Sequence, residues 1–477
     1  MNTIQAKIEL KIPQLRESSN VCKDIINGFG LSSDGWTENL LDLKVPSSGI
    51  VLVTGASGLG KSLLLDTIAK SFSSIRKIEK NFDENIPVVD VISSSDAGEA
   101  IRYLSKFGLG EPRIMVAPFS QLSDGQKDRF LLALSLKKGY GPLFIDEFTT
   151  KLDRQTAKVI AINLGKILRS DNQTAYIAGC NDDVLNYLKP DVHIMLDTNG
   201  NHKVLHLEWE QNDPVELLNI EIRSGSIDDY KKLARYHYEN DNASDIDMLE
   251  PMVEQVVSAY CEGELIGVNL CTKPWPDEFN RFSVFSEINK KAIQSFRVIV
   301  HPRYRGIGLT KALDVIPKKH TTTLLTWSVF SKHYSFPILS NYKKVDSPFE
   351  EMSEAEVILQ EFVESRRKCN YQPLHLIKTC RGIWDGLDEN QKKHFRKIII
   401  TAATEKCTRL AIFQLDACGI QHDIGTDKFI MNFFSNLYSK SSFYVAPAIL
   451  AETVYRPMAM FVKHVNQHDC IEGGRLV

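Results

Sequence analysis

The sequence predicts an α/β protein of several domains, and three observations carry that expectation. A β-branched run at Gly49–Thr54 (GIVLVT) opens into the glycine-rich GASGLGKS and then into helical spacing from Lys61. A second strand-loop-helix pattern, FRVIVH followed by PRYRGIG, lies at Phe296–Gly308, and from Glu350 onward the apolar spacing turns helical. At 477 residues the chain exceeds one ordinary core, so two to four domains are expected. The polar, turn-rich stretch 198–222 sets a boundary near Asn212, giving expected domains 1–211, 212–349 and 350–477.

Composition narrows the class. A formal net charge of -3 argues against an all-basic surface that cloaks nucleic acid, while leaving room for local patches. The nine cysteines are scattered, odd in number and without a C-x-x-C pair, so neither a zinc ribbon nor a disulfide framework is signalled and a reduced cytoplasmic setting is expected. The N-terminus alternates like a strand, and no window reaches eighteen apolar residues, so neither secretion nor membrane spanning is expected.

In the first part of the chain, the strand at Gly49–Thr54, the loop Gly55–Ser62 and the helix from Lys61 to Phe72 give the context that G-x-x-x-x-G-K-S requires. Gly55, Gly58 and Gly60 let backbone N–H groups turn around the phosphates of ATP, and the helix adds its positive end. Lys61 would neutralise the β- and γ-phosphates, and Ser62 would ligate Mg2+. The plainer account, an ordinary glycine turn, loses ground in that context. PLFIDE at Pro142–Glu147 reads as a buried strand ending in two acids: Asp146 suits the magnesium and Glu147 the polarisation of an attacking water. LSDGQ, Leu122–Gln126, opens a helix through Lys137, with Ser123 or Asp124 as its N-cap.

These parts, with TTKLD at Thr149–Asp153, resemble the ABC ATPase superfamily in content and order. The resemblance implies that Ser123, Gly125 and Gln126 cap the nucleotide held by another copy of the chain, in an ATP-dependent homodimer. It also brings three departures. The strand Thr174–Gly179 runs into Cys180-Asn181-Asp182 where the family places a switch histidine, no glutamine lever separates Lys61 from Leu122, and no transmembrane partner segment is present. Slow hydrolysis and a non-transport role are the corresponding expectations. Phe29 and Trp36 are candidates to stack on adenine, with core packing the plainer account of each.

The middle of the chain reads as a helix at Ile227–Tyr238, strands at Val256–Cys261 and Leu265–Leu270 about Glu262-Gly263-Glu264, a strand at Phe296–His301, a helix at Leu309–Val315, a strand at Thr323–Ser328 and a helix around His333–Leu339. Arg303, Arg305, Gly306, Ile307 and Gly308, preceded by Val300-His301-Pro302, resemble the central motif of the GNAT acyltransferases. The resemblance implies an acetyl-CoA or other acyl-CoA site, the glycines and the following helix receiving the pyrophosphate. Lys290–Lys319 holds eight Lys or Arg against one acid, a surplus that suits coenzyme A phosphates or a nucleic acid backbone. Pro337 stands where the family's tyrosine acid belongs, with Tyr334 one turn earlier as its substitute. Glu287, His301 and His237 are candidate bases, each with a structural account beside it.

The end of the chain gives amphipathic helices at Ala355–Arg367 and Glu389–Cys407, while Pro447 and Pro457 bar one long helix after Leu437. The expected architecture is thus an N-terminal ABC-type P-loop ATPase domain, a central GNAT-like α+β domain and a mostly helical C-terminal region. The function it implies is an ATP-dependent dimer clamp presenting an acyl-CoA-using domain to a large substrate, with nucleic acid as a candidate and no membrane. The alternative is an ATP-dependent regulatory or nucleic-acid-binding switch whose GNAT-like domain is a non-catalytic ligand sensor.

Overall fold

The computed structural model describes residues 2–12, 19–31, 36–78, 80–137, 140–197, 201–210, 213–237, 250–314, 321–328, 336–344, 353–365, 384–440, 459–464, 471–472 and 475–476. The chain divides into two compact units: Met1–Leu217 with Pro302–Ile307, and Leu218–His301 with Gly308–Val477.

In the first unit, β1 (Thr3–Ile12) and β2 (Trp36–Pro46) form an antiparallel ribbon. Ala6, Ile8, Leu41, Leu43 and Val45 recur at every second position, which puts them on one buried face. The main sheet contains β3 (Ile50–Thr54), β4 (Arg76–Lys77), β5 (Leu143–Ile145), β6 (Ala175–Gly179), β7 (Val192–Leu196) and β8 (His202–His206), in the order β4-β5-β6-β3-β7-β8. Its pairs are parallel except β7 with β8.

A parallel sheet buried on both faces needs continuous apolar strands, which is why GIVLVT and PLFI lack alternation. The strand period splits each run between two cores. Ile50, Leu52, Leu143, Ile145, Ala175 and Ile177 face one layer with the helices Asp124–Lys137 and Arg154–Ser170. Val51, Val53, Phe144, Tyr176 and Ala178 face the other, with the helix Lys61–Ala69 and the β1-β2 ribbon.

Two boundaries differ from the sequence reading for local reasons. The helix after the glycine loop stops at Ala69, although Phe72 still packs against that core. Strand β5 stops at Ile145 because Glu147 takes a left-handed conformation, φ 53°, which ends regular pairing.

The second unit is built on a seven-stranded sheet. Its strands are β9 (Glu221–Ser224), β10 (Val253–Cys261), β11 (Glu264–Thr272), β12 (Ala292–Val300), β13 (Thr323–Ser328), β14 (Lys343–Lys344) and β15 (Ala459–His464), in the order β14-β15-β13-β12-β11-β10-β9. Glu262 and Gly263 both take positive φ, 51° and 83°, giving a two-residue turn whose twist suits the β10-β11 hairpin. Among the described residues of this sheet only β12 and β13 pair in parallel, over Ala292–Ser295 and Thr323–Thr326.

The C-terminal region holds the helices Glu354–Ser365, Glu389–Ala417 and Ile424–Lys440. It also supplies β15, which enters the sheet between β13 and β14, an element the sequence reading did not contain. The two long helices close over Trp275, Phe279 and Phe285, the second contributing Phe434, with ring centroids from Trp275 of 5.0 Å to Phe285 and 5.5 Å to Phe434. No helix among the described residues is long and apolar enough to cross a membrane.

Candidate functional site

Strand β3 aims the glycine loop at the carboxyl end of the sheet, where open α/β sheets place ligands. Gly58 and Gly60 sit at φ 85° and 84° with nothing within 4 Å of where a Cβ would be, so the loop is an open cradle that side chains at those positions would fill. Gly55 is constrained by packing: a Cβ there would lie 2.7 Å from the carbonyl of Leu196. The Lys61 ammonium lies inside the loop and donates to the carbonyls of Gly55 and Ala56, both at 2.7 Å. Beneath the loop, Thr54 Oγ1 hydrogen-bonds the buried His193 Nε2 at 2.8 Å. Burial lowers the His193 pKa, against the pull of Asp182.

Ser62, Asp146 and Glu147 line one cavity of about 450 Å3, together with Asp66, Lys77, Asp128, Arg129 and Thr149–Leu152. A serine hydroxyl and a carboxylate lining one space are the hard oxygen donors that Mg2+ prefers, so Ser62 and Asp146 fit magnesium, while Gly55, Gly58, Gly60 and Lys61 of the adjoining loop are not among the cavity's lining residues. Glu147 is held by its own N–H donating to Asp146 Oδ1 at 2.9 Å and by its carbonyl accepting from Thr150 Oγ1 at 2.8 Å. Thr149 is also left-handed, φ 63°, so two non-glycine residues in a row of three carry backbone strain beside the cavity.

Ser123, Gly125 and Gln126 are not among the residues lining that cavity, although the next turn of their helix is. Ser123 N–H donates to Gln126 Oε1 at 2.9 Å and Gln126 N–H to Ser123 Oγ at 3.4 Å, a reciprocal capping box. The exposed Ser123 hydroxyl accepts in this arrangement, leaving its proton to be offered elsewhere. Ser123→Ala is expected to lower stability by about 1 kcal/mol, measured by urea unfolding. Ser123→Asp, whose carboxylate can accept the same N–H, is expected to restore that stability.

The segment Arg303–Gly308 is placed differently from the expectation. Arg303 lies 3.8 Å from the Asp153 carboxylate, and Arg305 donates to the Gly110 carbonyl. Asn163 occupies the space over Gly306, its amide 2.7–3.0 Å from the position of a Cβ. Ile307 is buried, and Gly308 alone of the five opens to unfilled space. Asn163, Asp153 and the Gly110 carbonyl are thus the partners of Gly306, Arg303 and Arg305.

Glu287 is on the surface of the helix Ser283–Lys291 and pairs with Lys290 at 2.7 Å, which holds its carboxyl below the ordinary value. His301 Nε2 meets Tyr236 OH at 3.1 Å, and His237 Nδ1 meets Arg297 at 3.1 Å. Tyr334 lies outside the described residues, as does the side chain of Trp36. Phe29 is 79% exposed. Sequence reasoning passed over His193, Arg129 and Asn163. His193 sits in a strand, VHIML, whose other residues are apolar, a signal for a partnered buried imidazole; the other two had no local signal.

No family model matches the chain. A part of it is similar to ABC-type ATPases. It is 30% identical over 139 residues to the energy-dependent translational throttle protein EttA of Mycobacterium tuberculosis, covering 24% of this chain and 25% of that protein. It is 24% identical over 161 residues to ABC transporter B family member 17 of Arabidopsis thaliana, covering 26% of this chain and 13% of that one. The chain thus spans about a quarter or less of the length of these curated relatives. Among solved structures, the ATP-binding cassette MJ0796, a dimer bound to ADP and phosphate, matches at 19% identity and a TM-score of 0.30, over 37% of this chain and 94% of that one.

Proposed function

We propose that the unit Met1–Leu217 binds ATP with Mg2+ and hydrolyses it, and that ATP draws two copies of the chain together. The observation carrying this reading is that Ser62, Asp146 and Glu147 share one cavity beside the Gly55–Ser62 cradle, while the capped Ser123 stands exposed outside it. In this reading Lys61 neutralises phosphate charge, Ser62 and Asp146 hold the magnesium, and Glu147 takes the proton of the attacking water. Magnesium, when bound, supplies charge neutralisation between the phosphate oxygens. Ser123, Gly125 and Gln126 of one copy then cap the nucleotide of the other. The sequence likeness to EttA, an energy-dependent translational throttle protein by name, supports a role in ATP-driven switching.

The test is titration calorimetry of ATP with magnesium on the wild type and on Lys61→Ala, paired with light scattering. Binding lost in the variant and an ATP-dependent doubling of mass in the wild type are expected. No heat from the wild type would sink the reading.

A second reading, that the other unit is a GNAT-like domain for acyl-CoA, is favoured by one feature of its sheet. In a sheet whose other pairs among the described residues are antiparallel, β12 and β13 run parallel over Ala292–Ser295 and Thr323–Thr326, and the turn glycines Gly306 and Gly308 and the helix Leu309–Leu313 lie between them in the chain. A strand, a glycine turn and a helix in that order are what an acyl-CoA pyrophosphate site requires, because the turn bares backbone N–H groups and the helix adds its positive end. The chemistry with Tyr334, Glu287 and an acyl acceptor, and a nucleic acid as the large substrate, belong to the same proposal. Acetyl-CoA added to the wild type in the calorimeter should release heat with one site per chain; none would leave the unit as a sensor for another ligand or a binding module. ATP turnover with and without DNA or RNA tests the nucleic acid.

A further inference from the structure

The geometry points to a role for Pro302–Ile307 inside the ATPase unit: the segment positions the loops around the nucleotide cavity, and Arg303 is a positioning residue for ATP turnover. This inference rests on the ATPase reading above. The segment comes from far along the chain, yet it belongs to the same compact unit as Met1–Leu217.

It is held at two places. The first is the turn Lys106–Gly110. Asn163, 1% exposed, donates from one side-chain nitrogen to the carbonyls of Lys106 at 2.7 Å and Arg305 at 2.9 Å, and so joins the segment to that turn. Arg305 adds its bond to the Gly110 carbonyl. Gly306, at φ 86°, is needed for both its conformation and its bareness, since any Cβ would strike Asn163. The second place is Asp153, which caps the helix Arg154–Ser170 through Thr156 N–H at 3.0 Å and Thr156 Oγ1 at 2.7 Å, and which faces Arg303. Burial alone would raise the Asp153 pKa; the Thr156 bonds and the Arg303 guanidinium hold it below the ordinary value.

Both places lead to the nucleotide cavity. The carbonyls of Phe107 and Gly108 accept from Arg129 Nη1 at 3.2 and 3.0 Å, and Arg129 Nε donates to the Gly125 carbonyl at 3.1 Å, inside the LSDGQ turn. Asp153 directly follows Thr149–Leu152, which line the cavity. Glu147 and Thr149 hold left-handed conformations that persist only where the surroundings over-determine them. Arg303 fixes the downstream end of that strained stretch. The segment therefore ties the LSDGQ turn and the Thr149–Asp153 stretch into one body, so that both move together as nucleotide comes and goes.

Arg303 is about one-third exposed, so its substitution tests the idea without opening the core. Arg303→Ala is expected to lower kcat for ATP about fivefold to tenfold with KM and thermal midpoint unchanged, in the range of a contacting pair's coupling. Arg303→Lys should restore most of the rate, since the charge facing Asp153 returns. Asp153→Asn combined with Arg303→Ala should cost no more than the larger single loss. A wild-type kcat in Arg303→Ala, additive losses in the double variant, or a loss that Lys does not rescue would overturn the inference. Failure of the wild type to bind ATP at all would instead overturn the ATPase reading on which it stands.

Discussion

Glu147→Gln is expected to cut ATP turnover by roughly a hundredfold or more while leaving ATP binding intact, because removing a positioned general base costs on the order of 10²–10⁴ in rate. An amide has the same shape as the carboxylate but cannot accept the proton of the attacking water. The replacement should also leave the local backbone alone. Glu147 is held at φ 53° by its N–H to Asp146 and its carbonyl to Thr150, neither of which uses the side chain. Ser62 and Asp146 in the cavity, and Lys61 on the Gly55 and Ala56 carbonyls, the groups assigned to magnesium and phosphate, stay in place. ATP should therefore accumulate unhydrolysed in the closed state, and light scattering with ATP should show a persistent dimer. Phosphate release is the direct readout. Turnover within twofold of the wild type would remove Glu147 from the hydrolytic role, and a monomer at saturating ATP would remove the clamp.

The parts of this site that were legible in the sequence are those encoded within one strand-loop-helix. GIVLVT and PLFI announce strands buried on both faces because a parallel sheet leaves no polar side. Gly58 and Gly60 announce an open loop because only glycine takes their φ without strain. LSDGQ announces a helix start because Ser123 and Gln126 satisfy each other's backbone donors.

The parts that were not legible depend on pairings between distant segments. RYRGIG has the glycines of an anion loop, and its local pattern cannot report that Asn163 fills the space above Gly306. AMFVKH has little to distinguish it as a strand until β13 and β14 are seen to flank it. Arg129 reads as one charge among several in a helix, and only the fold brings it to the Phe107 and Gly108 carbonyls.

The same limit hid Asp314, whose substitution should change how stability depends on pH. It follows the helix Leu309–Leu313, is 6% exposed, and receives Asn269 Nδ2 at 3.3 Å, while Ser295 Oγ donates to Asn269 Oδ1 at 2.9 Å. Burial pushes its carboxyl up to about 7, against the opposing pull of Lys463. Tyr342 and Cys271, also pushed up by burial, face it as neutral groups. The unfolded chain releases this proton near its ordinary pKa of 3.8, well before the folded chain does. As pH rises between the two values the unfolded state therefore binds fewer protons, and stability falls. The contribution of the neutral acid is fully present below about pH 4 and lost as pH passes about 7, a span of roughly 4 kcal/mol. Asp314→Asn keeps the shape and the acceptor for Asn269 without the charge. The variant should match the wild type near pH 4 and exceed it at pH 8, with a flatter stability profile between. Urea unfolding at pH 4, 6 and 8 reads this directly, and parallel profiles for the two proteins would show that Asp314 is ionised in the folded state throughout.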